Sequence, residues 1–124
     1  MNIEKISSIL KENEWCDMEI CGFCENDLVV KGCLEITDQD YFIEFRFRNA
    51  SYIDAPLSWT MDTTENCIFK AVDKNYVQDN TLENQKYFSL GGLYIFSFLA
   101  EFFYSKEWVN IVADSVEYKL IHRY

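Results

Sequence analysis

The sequence predicts an α+β domain in which an N-terminal amphipathic helix precedes a mostly antiparallel, curled β-sheet or sandwich of about seven to eight strands. The chain has 124 residues, 49% of them hydrophobic and 17% aromatic, which suffices for one globular core. A helical spacing of apolar residues at the start gives way to strict alternation, which is typical of strands. We therefore expect one domain, 1–124, with a helix at 2–13, a β meander at 17–48, an irregular middle at 49–86 and an aromatic, β-rich last third at 87–123.

The first predicted element is the helix at 2–13. Asn2 is a suitable N-cap, and the carboxylate of Glu4 suits the positive end of the helix dipole. The apolar stripe at helical spacing consists of Ile3, Ile6, Ile9 and Leu10.

Three strands are predicted between residues 17 and 48, each with one apolar and one polar face. Loops at 25–27 and 37–40 would turn the same side of the middle strand inward in both hairpins. A shift of one residue in either hairpin would reverse that face. The predicted pairs are Met18 with Leu34, Ile20 with Gly32, Leu34 with Ile43, and Val30 with Phe47.

The middle of the chain is less regular. A short strand at 51–54 should end at Ala55-Pro56, because proline cannot donate to a ladder. Another strand is predicted at 67–72, between the polar runs 60–66 and 73–86. The second polar run is predicted to be a mobile loop.

The last third allows two interpretations of residues 93–103, a buried helix or a strand. We favour the strand, because Tyr94, Phe96 and Phe98 alternate with a side that carries Ser97, and because a Gly-Gly turn precedes them. Two further strands are predicted at 108–113 and 116–120.

The strongest functional indication is the net charge of −10. Residues 17–44 hold eight acids and one base, Lys31, which gives this span alone a charge of −7. Such a field repels nucleic acid and anionic membranes and speeds encounter with a basic partner. The alternative is that acidity only keeps the protein dispersed.

Location is predicted to be cytoplasmic. The N-terminal residues interleave charges with apolar residues, unlike a signal peptide. The longest apolar stretch, 93–104, is shorter than the roughly 20 residues that a membrane helix needs. Five cysteines, an odd number, suit reduced thiols better than a disulfide framework.

The cysteines raise a metal or redox alternative. The spacing of Cys16, Cys21 and Cys24 is similar to the cluster-binding run of plant-type ferredoxins, but Cys16 and Cys21 fall on opposite faces of a strand. The Cys-x-x-Cys at 21–24 is followed by acids and a strand rather than by a helix, so nothing would lower its thiol pKa. Zinc held by Cys21, Cys24 and Cys33 stays an alternative. The prediction is that the cysteines pack as small residues, with no cofactor and no metal.

No catalytic constellation is recognisable. His122, the single histidine, lies near the C-terminus, where a general base is poorly held. Nucleophile-elbow, zinc-protease and phosphate-loop motifs are missing from the sequence. The sequence therefore indicates a protein that is not an enzyme.

The outward face of the predicted meander is the candidate partner-binding surface. Carboxylates around an exposed aromatic ring suit a protein interface, because charge steers the partner and the ring anchors it. The alternative is a solvated face, or one that the N-terminal helix covers. The predicted binding residues are Asp17, Glu19, Glu35, Phe42 and Glu44.

In pattern the chain resembles the small acidic immunity proteins that bacteria make against secreted toxins. The resemblance rests on the helix at 2–13, the acidic meander at 17–48, the passage at 45–52 and the strand at 108–113. It implies an inhibitor that covers the cationic site of a basic partner, such as a toxin nuclease.

Three other functions remain open at this stage: a phage-encoded mimic of nucleic acid, a cysteine-based metal or redox domain, and a homodimer formed through the aromatic segment 87–104.

Overall fold

The computed structural model describes residues 1–34, 40–76, 82–89 and 91–121. Helix α1 spans Ile3–Glu12, helix α2 spans Leu82–Phe88, and a short 3-10 helix spans Lys74–Tyr76. The strands are β1 Asp17–Cys24, β2 Asp27–Cys33, β3 Tyr41–Arg48, β4 Tyr52–Asp54, β5 Ser58–Met61, β6 Phe69–Asp73, β7 Tyr94–Glu101, β8 Lys106–Ala113 and β9 Ser115–Leu120.

The strands form one antiparallel sheet in the order β4-β8-β7-β5-β1-β2-β3-β9, and β6 pairs with β7 beside β5. Three strands separate β3 from β7 in this order, yet the rings of Phe45 and Phe98 lie 5.6 Å apart. The sheet therefore folds over its own apolar face. It does not close, because β4 and β9 end the order at opposite edges.

The predicted fold class is wrong in its strand count, since the described residues form nine strands rather than seven to eight. The additional strand is β5, whose four residues are too few to show alternation in the sequence, although Trp59 and Met61 are buried. The predicted mobile loop at 73–86 is also wrong in part. It contains the 3-10 helix and most of α2, and the buried ring of Tyr87 anchors α2 to the sheet.

Helix α1 occupies the predicted segment. The side chain of Asn2 accepts a hydrogen bond from the backbone N–H of Lys5 at 3.0 Å, as expected for an N-cap. The buried side chains of Ile6, Ile9 and Leu10 join the main core. Burial of this stripe fixes α1 against β6.

Both predicted hairpin registers are wrong by two residues. Met18 pairs with Gly32, because the first turn consists of Glu25 and Asn26 alone, which moves the register by one residue, and a bulge between Ile20 and Gly22 moves it by another. Val30 pairs with Phe45 in the second hairpin, whose predicted loop lies largely outside the described residues. A shift of two leaves the side chains between the bulges on their predicted faces, so the apolar faces of Met18, Val30 and Phe45 still meet.

Two bulges interrupt these ladders. One lies between Ile20 and Gly22, and the other follows Gly32. Each adds a residue on one strand, so alternation between the two faces is broken at that point. The second bulge decides where Phe42, a predicted surface residue, lies.

Residues 94–101 form a strand, which confirms the strand interpretation over the buried helix. Strand β7 is the most buried of the sheet, with β8 along one edge and β5 and β6 along the other. None of the helices within the described ranges has both the length and the apolar character needed to span a bilayer.

Candidate functional site

The structure brings only part of the predicted binding surface together. Asp17, Glu19 and Glu44 lie on the outer face of β1, β2 and β3, whereas Glu35 lies outside the described residues. Phe42 is only 7% exposed, so its predicted role as an exposed anchor is wrong. The cause is the bulge after Gly32, where Cys33 pairs with Tyr41 and Phe42 turns into the core.

The carboxylates of this outer face are matched by bases. A row of paired residues crosses four strands with alternating charge: Glu19, Lys31, Glu44 and Lys119. The carboxylate of Glu44 lies 3.9 Å from both flanking ammonium groups. Glu19 accepts a hydrogen bond from the hydroxyl of Tyr41 at 2.5 Å, and this bond raises the pKa of Tyr41 to about 12. These carboxylates already have partners within the sheet.

The next part of the same face is also ion-paired. Arg48 donates to Asp27 at 2.5 Å and to Glu117 at 2.7 Å. The pKa of Asp27 is lowered first by the backbone N–H of Asn49 and then by Arg48, and Arg48 lowers the pKa of Glu117. The outer face is therefore close to neutral. Its described charged residues are the acids Asp17, Glu19, Asp27, Glu44 and Glu117 and the bases Lys31, Arg46, Arg48 and Lys119.

A groove at the opposite end of the sheet was not predicted. Strand β4 covers β8 only at residues 110–112, because the chain turns away at Ala55-Pro56. The space left beside β8 is a groove of about 560 Å³, here called the edge groove. The eight described residues that line it include two acids and no base: Asp54, Ala55, Pro56, Phe102, Glu107, Trp108, Val109 and Asn110.

One wall of the edge groove is held by a polar network. The hydroxyl of Ser97 donates to Asn110 Oδ1 at 2.6 Å, and the hydroxyl of Tyr87 donates to Asp54 Oδ2 at 2.6 Å. Asn110 Nδ2 lies 3.4 Å from the Tyr87 oxygen and joins the two pairs. Because Ser97, Asn110 and Tyr87 are buried, this network fixes both α2 and the carboxylate of Asp54.

The hairpin between β7 and β8 ends in two exposed aromatic residues, Phe103 and Tyr104, here called the aromatic tip. They are 92% and 93% exposed, and their ring centroids lie 4.9 Å apart. Reciprocal backbone hydrogen bonds between Phe102 and Ser105 close the turn. Large exposed apolar side chains in a contiguous patch are typical of binding surfaces. Phe102 connects the aromatic tip to the edge groove.

Ion pairs hold the base of this hairpin. Lys106 Nζ lies 2.9 Å from Asp62 Oδ2 and 2.6 Å from Glu65 Oε1. Burial opposes ionisation of Asp62, but the Thr64 hydroxyl and Lys106 outweigh it, so the pKa of Asp62 is lowered. The positive charge of Lys106 is thus already paired within the protein.

Glu107, the next residue of β8, differs from Lys106 in this respect. Among the described residues, no ion pair joins Glu107 to a base.

The ring of Trp108 contacts a cation. The ammonium of Lys70 lies 4.1 Å from the centroid of the Trp108 ring. This contact occupies one position over an aromatic face that suits cations. The ring nevertheless remains partly exposed and lines the edge groove.

The cysteines are divided between core and surface. Cys16 and Cys33 are fully buried, whereas Cys21, Cys24 and Cys67 are exposed. Burial, and then the charge of Asp17, raises the pKa of the Cys16 thiol to about 12. Within the described ranges, no group of three or more His, Cys, Asp or Glu side chains is placed to hold a metal ion.

Two features of the sequence mark the edge groove. Ala55-Pro56 predicts the end of β4, and the same proline leaves part of β8 uncovered. Phe103-Tyr104 occupies a turn, where Gly, Asn and Asp are the usual residues.

Comparison of the chain with protein-family models, with curated proteins and with solved structures gave no match.

Proposed function

We propose that this chain is a non-enzymatic binding protein that captures a basic protein partner through the edge groove and the aromatic tip. The observation that carries the proposal is the pair of rings at the tip, both more than nine-tenths exposed, beside a groove with two acids and no base among its lining residues. Rings of this kind become anchors when a partner buries them, and the acids favour cationic residues around that anchor.

Rigidity of the site supports the proposal. The ion pair of Lys106 with Asp62 holds the hairpin base, and the hydrogen bond from Tyr87 holds Asp54. Side chains held before binding lose less conformational freedom when the partner arrives. The site is therefore suited to tight binding.

Inhibition of a toxin is the biological role that we propose for this binding. A bacterial immunity protein would need an acidic surface that covers a cationic enzyme, and the net charge of −10 suits rapid association with such a target. We place the protein in the cytoplasm, where its five free thiols would stay reduced. The predicted surface of Asp17, Glu19, Glu35 and Glu44 remains the competing location for the same activity.

The experiment compares the two surfaces with one partner. The tagged wild-type protein captures partners from a lysate of the native host, and the most abundant stoichiometric partner is identified, produced and purified. Its dissociation constant is then measured for wild type, for the double variant Phe103→Ser/Tyr104→Ser, and for Glu19→Lys/Glu44→Lys. Thermal unfolding of each variant verifies that it is folded.

We expect the tip variant to weaken binding by at least about 30-fold, because truncation of a central aromatic anchor costs about 2 kcal/mol or more. The sheet-face variant should stay within about threefold of wild type. Loss of binding in the sheet-face variant alone would move the site to the predicted surface. A partner without net positive charge would contradict the proposal as a whole.

A further inference from the structure

We infer that the free edge of β8 accepts an extended segment of the basic partner as an additional antiparallel or parallel strand. This inference rests on the proposed function and specifies how the edge groove recognises its partner. Strand β8 is paired along its full length with β7, but only residues 110–112 are paired with β4 on the other edge. Residues 106–109 therefore have one edge uncovered by any strand of the described chain, and three of them, Glu107, Trp108 and Val109, line the groove.

The residues that line the edge groove show that the groove runs along the free edge of β8. Glu107, Trp108, Val109 and Asn110 are consecutive, so their side chains point alternately to opposite faces of the sheet. All four nevertheless line the same groove. A space that touches both faces of one strand must run along the edge of that strand.

Backbone groups point into this space. The narrow hydrogen-bonded pair Phe102–Ser105 sets the alternation of the β7–β8 ladder. It directs the N–H and C=O groups of Glu107 and Val109 toward β7, and those of Lys106 and Trp108 away from it. The register of β4 would place Pro56 opposite Trp108, but pairing stops at Asp54 in the described chain. The N–H and the C=O of Trp108 thus both face the groove, and the carbonyl also accepts a 3.3 Å contact from Asn110 Nδ2.

The charge of the residues that line the edge groove indicates which kind of segment it binds. Natural proteins cover or blunt sheet edges, since an open edge is a template for another strand. A second copy of this chain would carry another net charge of −10 and would bring Glu107 close to its own counterpart. A basic segment instead meets Asp54 and Glu107 on the rim and the partly exposed Trp108 ring. The geometry thus fits an extended peptide in which lysine or arginine alternates with apolar residues.

The test uses a synthetic peptide of about nine residues that alternates lysine and valine, in three forms: unmodified, N-methylated at each lysine, and N-methylated at each valine. In an added strand, only every second peptide N–H bonds to the edge. One methylated form should therefore bind at least about tenfold more weakly than the unmodified peptide, while the other stays within about threefold. Equal affinities for all three forms, or no binding of any form, would overturn the inference.

Amide hydrogen exchange of the protein gives a second readout. Saturation with the unmodified peptide should slow exchange at the Lys106 and Trp108 amides at least about tenfold, because their N–H groups gain acceptors. The amides of Glu107 and Val109 already bond to β7 and should change little. The Glu107→Lys variant serves as a matched control, since it should weaken the peptide through charge without removing a backbone donor.

The outcomes separate this inference from the proposed function. If the purified partner depends on the aromatic tip but leaves the Trp108 amide unprotected, strand addition is wrong and the binding site stands. If the partner protects the Trp108 amide but binds the tip variant as tightly as wild type, strand addition stands and the proposed anchor is wrong. Protection of the same amide in the free protein that rises with protein concentration would assign the edge to a second copy and overturn the inference.

Discussion

Lys106 Nζ lies 2.9 Å from the buried Oδ2 of Asp62, and this ion pair joins the start of β8 to the chain that follows β5. The contact connects a part of the core to the base of the hairpin that carries the aromatic tip. Asp62 is fully buried, yet it stays ionised because Thr64 and Lys106 stabilise its charge. The position of the tip therefore depends on a buried carboxylate.

Asp62→Asn is expected to lower the urea midpoint of unfolding at pH 7. The folded-state pKa of Asp62 lies below its usual value of 3.8, so its contribution to stability is present above about pH 4 and is lost as pH falls through the lower, folded-state pKa. The difference between wild type and variant should accordingly shrink below pH 4. Urea titrations at pH 7, 5 and 3 check this. Lys119→Gln, which removes a 3.9 Å surface contact, should change the midpoint little at any pH. A constant difference from pH 7 to pH 3 would mean that ionisation of Asp62 does not stabilise the fold.

Phe98→Ala should be the most damaging single truncation of a ring in this chain. Phe98 is fully buried, and its ring contacts those of Phe45, Phe69 and Trp59 at centroid distances of 5.6, 4.7 and 5.6 Å. Loss of such a ring typically costs about 3–5 kcal/mol of unfolding free energy. Phe103→Ala is the matched control, since that side chain is 92% exposed and its loss should fall within about 0.5 kcal/mol. Similar costs for the two variants would show that the core is not assembled around Phe98.

Gly32→Ala is expected to destabilise the protein by about 1–3 kcal/mol through overpacking. A Cβ at this position would lie 2.9 Å from Ile43 Cγ2 and 3.1 Å from Met18 Sδ. Chemical denaturation measures the effect. The double variant with Ile43→Ala should cost less than the sum of the two single variants, because truncation of Ile43 removes the clash. Strict additivity would place the origin of the effect elsewhere.

Thiol labelling should divide the five cysteines into two groups. Cys21, Cys24 and Cys67 are exposed, whereas Cys16 and Cys33 are buried. Brief treatment of the native protein with iodoacetamide at pH 8 should alkylate the exposed group only, as read by peptide mass spectrometry. Cys16 should react only after unfolding, because burial keeps its thiol protonated. Labelling of Cys16 at the rate of Cys24 in native protein would contradict the burial of the residue that precedes β1.

Local patterns in the sequence sufficed to predict the helix at the N-terminus, the inward faces of β1, β2 and β3, and the strand at 94–101. They could not predict the bulges, which depend on how neighbouring strands meet rather than on alternation within one strand. One bulge moved Phe42 from the expected surface into the core. Strand β5 is too short for a periodic signal.

The candidate site could not be predicted from the sequence for a different reason. The local charge of −7 from residue 17 to 44 predicts an acidic surface, but Arg46 and Arg48 of β3 and Lys119 of β9 lie on the same face. The span 17–44 holds four of the five described acids of this face but only one of its four described bases. The edge groove, in turn, combines residues near 54 with residues near 108, and only the pairing of β4 with β8 brings them together.

The proposed site is tested most directly by the dissociation constant of the complex between the purified partner and the Glu107→Lys variant, measured at two salt concentrations. The Glu44→Lys variant is measured in the same way as the control. The proposed site predicts at least about tenfold weaker binding for Glu107→Lys, with a smaller salt dependence than wild type, because one attractive charge has been reversed. Glu44→Lys should bind as wild type does once its folding has been verified. Unchanged affinity for Glu107→Lys together with a loss for Glu44→Lys would place the partner on the outer sheet face and contradict the account.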